Sequence, residues 1–282
     1  MLSDGCKIGF TGSQASYSYP NLRSAFDHAD IVSDLLAQEC AQGFMEGPFQ
    51  SPPFANFKCS GLGVVPKMNG AWRLIHHLSA PFGQSVNDGI DKDSYSLHYS
   101  SVDDAIKLCL DNRPAPFMVK VDLKNAFRQV PAAPFMVKVD LKNAFRQVPV
   151  HPDDQWLLGC EWNNGYYYHT RLPFGLRSSP YLFNRVADSL QWVLEDRGVT
   201  SLIHYLDDFL AVSPTLSTGL QCRQVMLDTM DFLGVGWAPE KVVGPSQKMV
   251  FWVSRLIRQR SVYAFRRTNT LCYVKIWPDG CI

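Results

Sequence analysis

No Cys-x-x-Cys pair occurs among the eight cysteines, Cys6, Cys40, Cys59, Cys109, Cys160, Cys222, Cys272 and Cys281. That scatter argues against a zinc site and against a secreted disulfide scaffold, and fits thiols in a reducing compartment. No apolar run reaches membrane-spanning length, and the N-terminus has no signal-peptide apolar core, so an intracellular protein, cytoplasmic or nuclear, with no membrane partner is expected. Charge of one sign is also lacking. The formal net charge is +1, which by itself announces no nucleic-acid binder. The balance is nonetheless uneven: Trp252 to Ile282 holds six Lys/Arg against one Asp, or +5, which leaves 1 − 5 = −4 for the rest. What is present is 282 residues, 46% of them apolar, enough for one large domain or two small ones with a real core.

Local patterns predict a mixture of helices and antiparallel hairpins. Residues 1–20 are polar and read as poorly ordered. From Asn21 to about Gln42 apolar residues recur at helical spacing, and Gly43 follows as a stop. The stretch 44–62 is rich in Pro, Phe and Gly and reads as loop. Asn69-Gly70 lies between the apolar runs Gly63–Lys67 and Trp72–Leu78, a strong hairpin signal, and Asn163-Asn164-Gly165 does the same between Trp156–Trp162 and Tyr166–Leu172. Ser101, followed by Asp103 and Asp104, predicts a capped helix to about Leu110. Phe117–Leu123 and Phe135–Leu141 read as buried strands. Ser178-Ser179-Pro180 opens a helix that Gly198 ends, Leu202–Tyr205 and Phe209–Val212 read as strands, and a helix is expected near Gly219–Phe232. The class is α+β.

One internal repeat stands out. Residues 115–132 and 133–150 agree at 17 of 18 positions, differing only at Ala132 against Val150. Solenoid repeats drift and come in threes or more, so this is a recent tandem duplication and not an architecture. Two copies of one buried strand cannot fill one slot in a sheet, so one copy must be displaced. Copy two runs directly into the hairpin beyond Val150, whereas the polar turn at 111–114 tolerates an insertion, and this favours Asp140 over Asp122 as the residue in place.

Several constellations carry possible chemistry, each with an ordinary alternative. Tyr205-Leu206-Asp207-Asp208 sets two carboxylates at a tight turn between apolar strands; this is either a surface turn or a pair of oxygen ligands for magnesium. Lys-Val-Asp-Leu-Lys-Asn-Ala-Phe, at 120–127 and again at 138–145, ends a Val-rich strand with an acid, either a cap or a third carboxylate. Three carboxylates together would need cations, because like charges at that distance repel. Leu172-Pro173-Phe174-Gly175 leads into a helix, Lys67 and Arg73 flank the Asn69-Gly70 turn, and Ala238-Pro239-Glu240-Lys241 is uninformative alone.

Their order is more specific than any member. A basic hairpin, a strand-end Asp, Leu-Pro-Phe-Gly, Tyr-x-Asp-Asp and then Gly-Val-x-x-x-x-Glu-Lys resemble the motifs of reverse transcriptases across roughly residues 43–251. Asn21-Leu22-Arg23-Ser24-Ala25, Arg73-Leu74-Ile75-His76-His77-Leu78-Ser79, Ser85-Val86-Asn87-Asp88 and Ala187-Asp188-Ser189-Leu190-Gln191-Trp192 resemble the DIRS-type (tyrosine-recombinase) retrotransposon branch. The resemblance implies a right-hand polymerase: an α+β palm with a small antiparallel sheet, plus fingers, acting on an RNA or DNA template and primer with dNTPs and two Mg²⁺ ions. It implies that Asp207, Asp208 and Asp140 (or Asp122) bind the metals, and that Phe145 (or Phe127) is the gate against a ribose 2′-hydroxyl. Lys67 and Arg73 would then contact the triphosphate, Phe174 and Gly175 would lie near the templating pair, and Lys241 would protonate pyrophosphate. His204 and Trp192 are left as core or surface residues.

The pattern breaks after Gln247. The family continues Phe-Leu-Gly-Ile and an acid, where this chain has Phe251-Trp252-Val253-Ser254-Arg255. Trp is TGG and Val begins GT, so restoring one base before TGG forces Gly after an apolar residue. Permitted codons then read Leu-Gly-Ile-Glu-Ile-Asp. The reading is a one-base deletion near codon 251, with residues 252–282 an out-of-frame tail, and a chain divided into 1–42, 43–251 and 252–282. The expectation is a defective copy without the thumb; the alternatives are a catalytically dead relic and a host-adopted nucleic-acid-binding protein that uses the fingers cleft without chemistry.

Overall fold

In a computed structural model of the chain, residues 4–67, 70–97, 100, 102–112 and 134–246 are described, together with two short strands in the tail. The elements in chain order are β1 (Tyr17–Ser18), α1 (Arg23–Asp27), α2 (Ala29–Ala41), β2 (Met45–Phe49), β3 (Lys58–Cys59), β4 (Leu62–Pro66), β5 (Trp72–His76), α3 (Val102–Asp111), β6 (Phe135–Asp140), α4 (Pro152–Gln155), β7 (Gly159–Trp162), β8 (Gly165–His169), α5 (Ser179–Asp196), β9 (Leu202–Tyr205), β10 (Asp208–Ser213), α6 (Leu216–Phe232) and β11 (Val243–Ser246), with β12 (Tyr263–Ala264) paired to β13 (Tyr273–Val274) beyond them. The chain divides into two units, 1–97 with 143–185, and 98–142 with 186–282.

In the first unit both expected hairpins form. Strands β4 and β5 pair antiparallel from Leu62↔His76 to Pro66↔Trp72 around the Gly70 turn. Strands β7 and β8 pair from Gly159↔Tyr168 to Trp162↔Gly165. Their two-residue turn holds Asn163 and Asn164 at φ 49° and 61°, the doubly left-handed turn that matches strand twist and that Asn tolerates. The second hairpin is shorter than expected at its start, because Pro152 opens a helical turn and the strand begins only at Gly159. Three expectations are corrected. Residues 44–62 are not all loop: β2 pairs with β8, and β3 joins a five-stranded sheet in the order β1-β3-β7-β8-β2. Residues 4–20 are not loose either. Cys6 exchanges backbone hydrogen bonds with Pro149 and His151. Ile8 is fully buried, and Lys7 reaches Asp153 at 2.8 Å. The expected single helix is also two, α1 and α2, broken at His28. Ala25, Val32, Leu36, Met45, Leu62, Val64, Cys160 and Trp162 form the main core of this unit.

The second unit is an antiparallel sheet ordered β11-β6-β10-β9. Strand β6 reads Phe-Met-Val-Lys-Val-Asp, and every residue after Phe135 is buried. A strand covered on both faces reads as a continuous apolar run, which is why Val137, Val139 and, on β10, Phe209 sit at 1% exposure or less. Ala105 and Leu108 of α3 pack over Met136, Leu210 and Val212. Helix α6 begins three residues earlier than its apolar pattern suggests, because Thr215 and Thr218 form a reciprocal capping box. The expected strand at 117–123, Ser101 and nearly all of 252–282 lie outside the described residues.

Candidate active site

The register of the second unit's sheet brings two acids together. Strand β10 pairs with β6 so that Asp208 stands opposite Asp140, and with β9 so that Asp208 stands opposite Tyr205. Between Tyr205 and Asp208 the chain reverses in two residues, with Leu206 at φ 51° and Asp207 at the corner. A non-glycine residue in that region is a local cost that the surrounding sheet must hold in place. The Asp207 carbonyl accepts from Leu141 N at 2.9 Å, and the Asp140 carbonyl accepts from Ala238 N at 3.0 Å, so the backbone around all three acids is fixed.

Two lysines complete the cluster. Lys241 donates to Asp140 Oδ1 at 2.8 Å, and its side chain stays 58% exposed. Lys138 lies 2.8 Å from Asp208 Oδ1, with both side chains only 11% exposed. That contact is a charge pair, not an aligned hydrogen bond, and Asp208 Oδ1 is buried with no hydrogen-bond partner. Burial pushes the Asp208 carboxyl up to about 7 against the opposing pull of Lys138. Burial also raises Asp207, with the Asp140 charge adding to it. The hydrogen bond to Asp140 raises Lys241. Sequence reasoning missed Lys138. Its signal was its position two residues before Asp140 on a strand, which puts both side chains on one face.

The donors suit magnesium in kind, being carboxylate oxygens only, and a buried acceptor without a hydrogen bond is where a cation would gain most. As placed, no group of three His, Cys, Asp or Glu converges on one point among the described residues. The two lysines are what neutralise the acids instead.

The remaining candidates lie in the first unit. Phe145, 9% exposed, packs its ring on Phe174 at 5.1 Å and on Phe183 at 5.5 Å. The exposed Arg73 guanidinium lies over the Phe174 ring at 5.6 Å. Lys67 is exposed on the same hairpin. Gly175 has φ 89°, and a Cβ there would come within 3.0 Å of the His76 carbonyl, so the loop needs glycine. A further residue emerges here: Asn87, 6% exposed, donates to Ser79 Oγ and to the Gly175 carbonyl, and accepts from Arg177 N, each at 2.8 Å. It clamps the Leu-Pro-Phe-Gly loop. Asp122 and Phe127 lie outside the described residues.

The sequence profile described as "Reverse transcriptase (RNA-dependent DNA polymerase)" matches residues 65–253. The chain belongs to the reverse transcriptase family. Among related proteins, the Gag-Pro-Pol polyprotein of bovine leukemia virus is 27% identical over 247 residues, which are 86% of this chain and 15% of the polyprotein. That of human T-cell leukemia virus 2 is 27% identical over 220 residues, 76% of this chain and 13% of the polyprotein. Among solved structures, prototype foamy virus protease-reverse transcriptase aligns with TM-score 0.56 and 18% identity, over 81% of this chain and 25% of that one. The foamy viral enzyme in complex with an RNA/DNA hybrid gives TM-score 0.57 and 19% identity, over 84% of this chain and 27% of that one. The mixed α/β fold of this reverse transcriptase thus resembles fingers and palm, while the chain spans only about a quarter of those structures and less of the polyproteins. No helix among its described residues is long and apolar enough to cross a membrane.

Proposed function

We propose that this chain is the fingers and palm of a retrotransposon reverse transcriptase of the DIRS type, built for template-directed DNA synthesis from dNTPs, and that this copy is defective. The observation that carries the reading is the register pair Asp140–Asp208 at adjoining strand ends, with Asp207 in the intervening turn. Asp140, Asp207 and Asp208 would hold two Mg²⁺ ions, whose chemistry is activation of a primer 3′-hydroxyl and stabilisation of leaving pyrophosphate. Lys241, more than half exposed, is free to swing from Asp140 and carry a proton to that leaving group. Phe145, braced by Phe174 and Phe183, has the bulk and the fixed ring to stand against a ribose 2′-hydroxyl. Arg73 and Lys67 present the charge that a triphosphate needs, and Phe174 and Gly175 belong beside the templating pair. The partners are an RNA or DNA template with its primer, inside the cell. The pairing of Asp140 with Asp208 supports copy two of the repeat as the source of the working acid, with Asp122 and Phe127 surplus.

The defect is the out-of-frame reading from Trp252. Phosphoryl transfer depends on positioning, and a palm whose following strand is replaced loses its hold on the primer. The test is extension of a primed RNA template with dNTPs and Mg²⁺, run on this chain and on one with the base restored after sequencing a cloned transcript over codons 110–282. Extension by the restored chain alone is the expected result. Extension by neither sinks the polymerase reading, and equal extension by both sinks the frameshift.

A further inference from the structure

Lys138 faces the same side of β6 as Asp140, and in the sheet it stands opposite Leu210 of β10 and Val243 of β11. Its stem is therefore built into the middle of the sheet, and the whole residue is 8% exposed. Lys241 is its counterpart at the cluster's edge, with the same 2.8 Å contact to a carboxylate but a side chain 58% exposed. The two ammonium groups differ in what they can do. Lys241 can leave its acid for water. Lys138 cannot withdraw without dragging a buried stem out of a packed strand.

The acids show the consequence. Asp140 and Asp208 are register partners, and Asp207 adjoins Asp208, yet among the described residues no three acids converge on a point that could hold an ion. Asp208 Oδ1 is buried, is unaligned for any hydrogen bond, and has the Lys138 ammonium against it. We propose that Lys138 is a resident counter-cation of Asp208, its ammonium occupying the place against this carboxylate that a divalent ion would take, so that Lys138 sets the divalent affinity of the cluster. The inference rests on the two-metal reading above. It deepens that reading by giving one of the two ion positions a competitor fixed in the chain. Mg²⁺ and Mn²⁺ bind carboxylate oxygens at about 2.1 Å, so an incoming ion and an ammonium cannot both lie against one oxygen. Entry then requires the ammonium to turn aside.

The test is Mn²⁺ binding to the purified full chain, read by electron paramagnetic resonance of the free ion, with no nucleotide or template present. Lys138→Met keeps the stem length and removes the charge. It should bind Mn²⁺ at least tenfold more tightly than the unaltered chain, and Lys138→Arg should restore the weaker binding. Lys241→Met should change the affinity by less than threefold, because that ammonium is already screened by water. Cooperative urea unfolding checks that each variant is folded, and Lys138→Gln replaces Lys138→Met if the thioether is not accommodated. If the unaltered chain binds Mn²⁺, Asp208→Asn abolishes it and Lys138→Met leaves the affinity equal or weaker, the counter-cation idea is overturned and the metal reading stands. If neither the unaltered chain nor Lys138→Met binds Mn²⁺, both fall.

Discussion

Each of the two units buries an ionic cluster, and the clusters are balanced differently. In the first unit Arg146, 7% exposed, meets Glu39 at 2.8 Å and His169 Nδ1 at 2.9 Å, with Phe44 under its guanidinium. Guanidinium only donates, so His169 accepts at Nδ1 and carries its proton on Nε2. His76, its ring 5.0 Å from that of His169, donates from Nε2 to the Gly159 carbonyl. Burial holds both imidazoles neutral, the His76 pKa being lowered to about 4 and that of His169 well below the usual range. One acid and one base remain, and their charges cancel. In the second unit three acids face two lysines, and burial raises two of the acids. Each cluster holds a buried carboxylate oxygen with a cation 2.8 Å away and no hydrogen bond, Glu39 Oε2 in the first and Asp208 Oδ1 in the second, so that feature is common to both. Burial of charge is common to both. What separates the two clusters is the charge left over, none in the first and one acid in excess in the second.

The largest expected effect tests the balanced cluster. Arg146→Met removes a buried guanidinium and leaves Glu39, a quarter exposed, without its partner, and should cost about 3 kcal/mol in urea unfolding. Adding Glu39→Gln should recover much of that loss, because the two changes remove one interaction between them. Simple additivity of the two costs would show that Arg146 acts through packing alone, and the contrast between the units would lose its basis.

Acid should then separate the units by sign. His76 binds a proton more weakly folded than unfolded, so the unfolded chain takes up protons first and stability falls as pH drops from about 6.5 to about 4. At about 1.4 kcal/mol per pH unit this is about 3 kcal/mol. Asp208, raised to about 7, works the other way. Its folded form holds the proton more tightly, so its contribution is present at low pH and is lost as pH rises toward 7. Amide hydrogen exchange, corrected for intrinsic rates, should show protection of β7 and β8 falling on acidification while that of β6 and β10 falls less or rises. Equal losses in both sheets would break the comparison.

Much of this was legible in the chain. The hairpins announced themselves because Asn-Gly turns have one physical use, and the strand-end acids because an Asp after Val-rich sequence has few. What could not be read was whatever depends on distant partners. Residues 4–20 alternate Cys6, Ile8 and Phe10 over only five residues before a polar run, too short a pattern to read as a strand, and their order comes from Pro149, Asp153 and Asp154 far along the sequence. Strand β2 was hidden by Gly47 and Pro48, which interrupt its pairing with β8 between Glu46 and Phe49. Lys138 and Asn87 were in view within motifs, but a motif names residues without showing which of them another residue needs.

Neutralising an unbalanced acid should help the fold and harm the site. Asp207→Asn keeps the size of the turn residue and removes a charge that burial and Asp140 both oppose. In metal-free buffer it should stabilise the chain by about 1 kcal/mol, while weakening Mn²⁺ binding at least tenfold. A loss of stability in thermal or urea unfolding would mean that Asp207 is satisfied as it stands and that the second cluster is balanced after all.

The smallest effect is expected from the pair with the shortest description. Lys241 and Asp140 meet at 2.8 Å, the same separation as Lys138 and Asp208, yet the Lys241 side chain is 58% exposed and that of Lys138 only 11%. Distance alone would rank the two contacts equal. Solvent decides otherwise: water screens the outer ammonium and competes for it, and holding a long side chain in one pose costs entropy. Lys241→Met should therefore shift urea unfolding by less than about 1 kcal/mol. A shift of several kcal/mol would show that Asp140 depends on Lys241 as Glu39 depends on Arg146. The exposed lysine would then be a structural strut and not a group free to leave its acid for a substrate, and its proposed part in protonating pyrophosphate would go with that freedom.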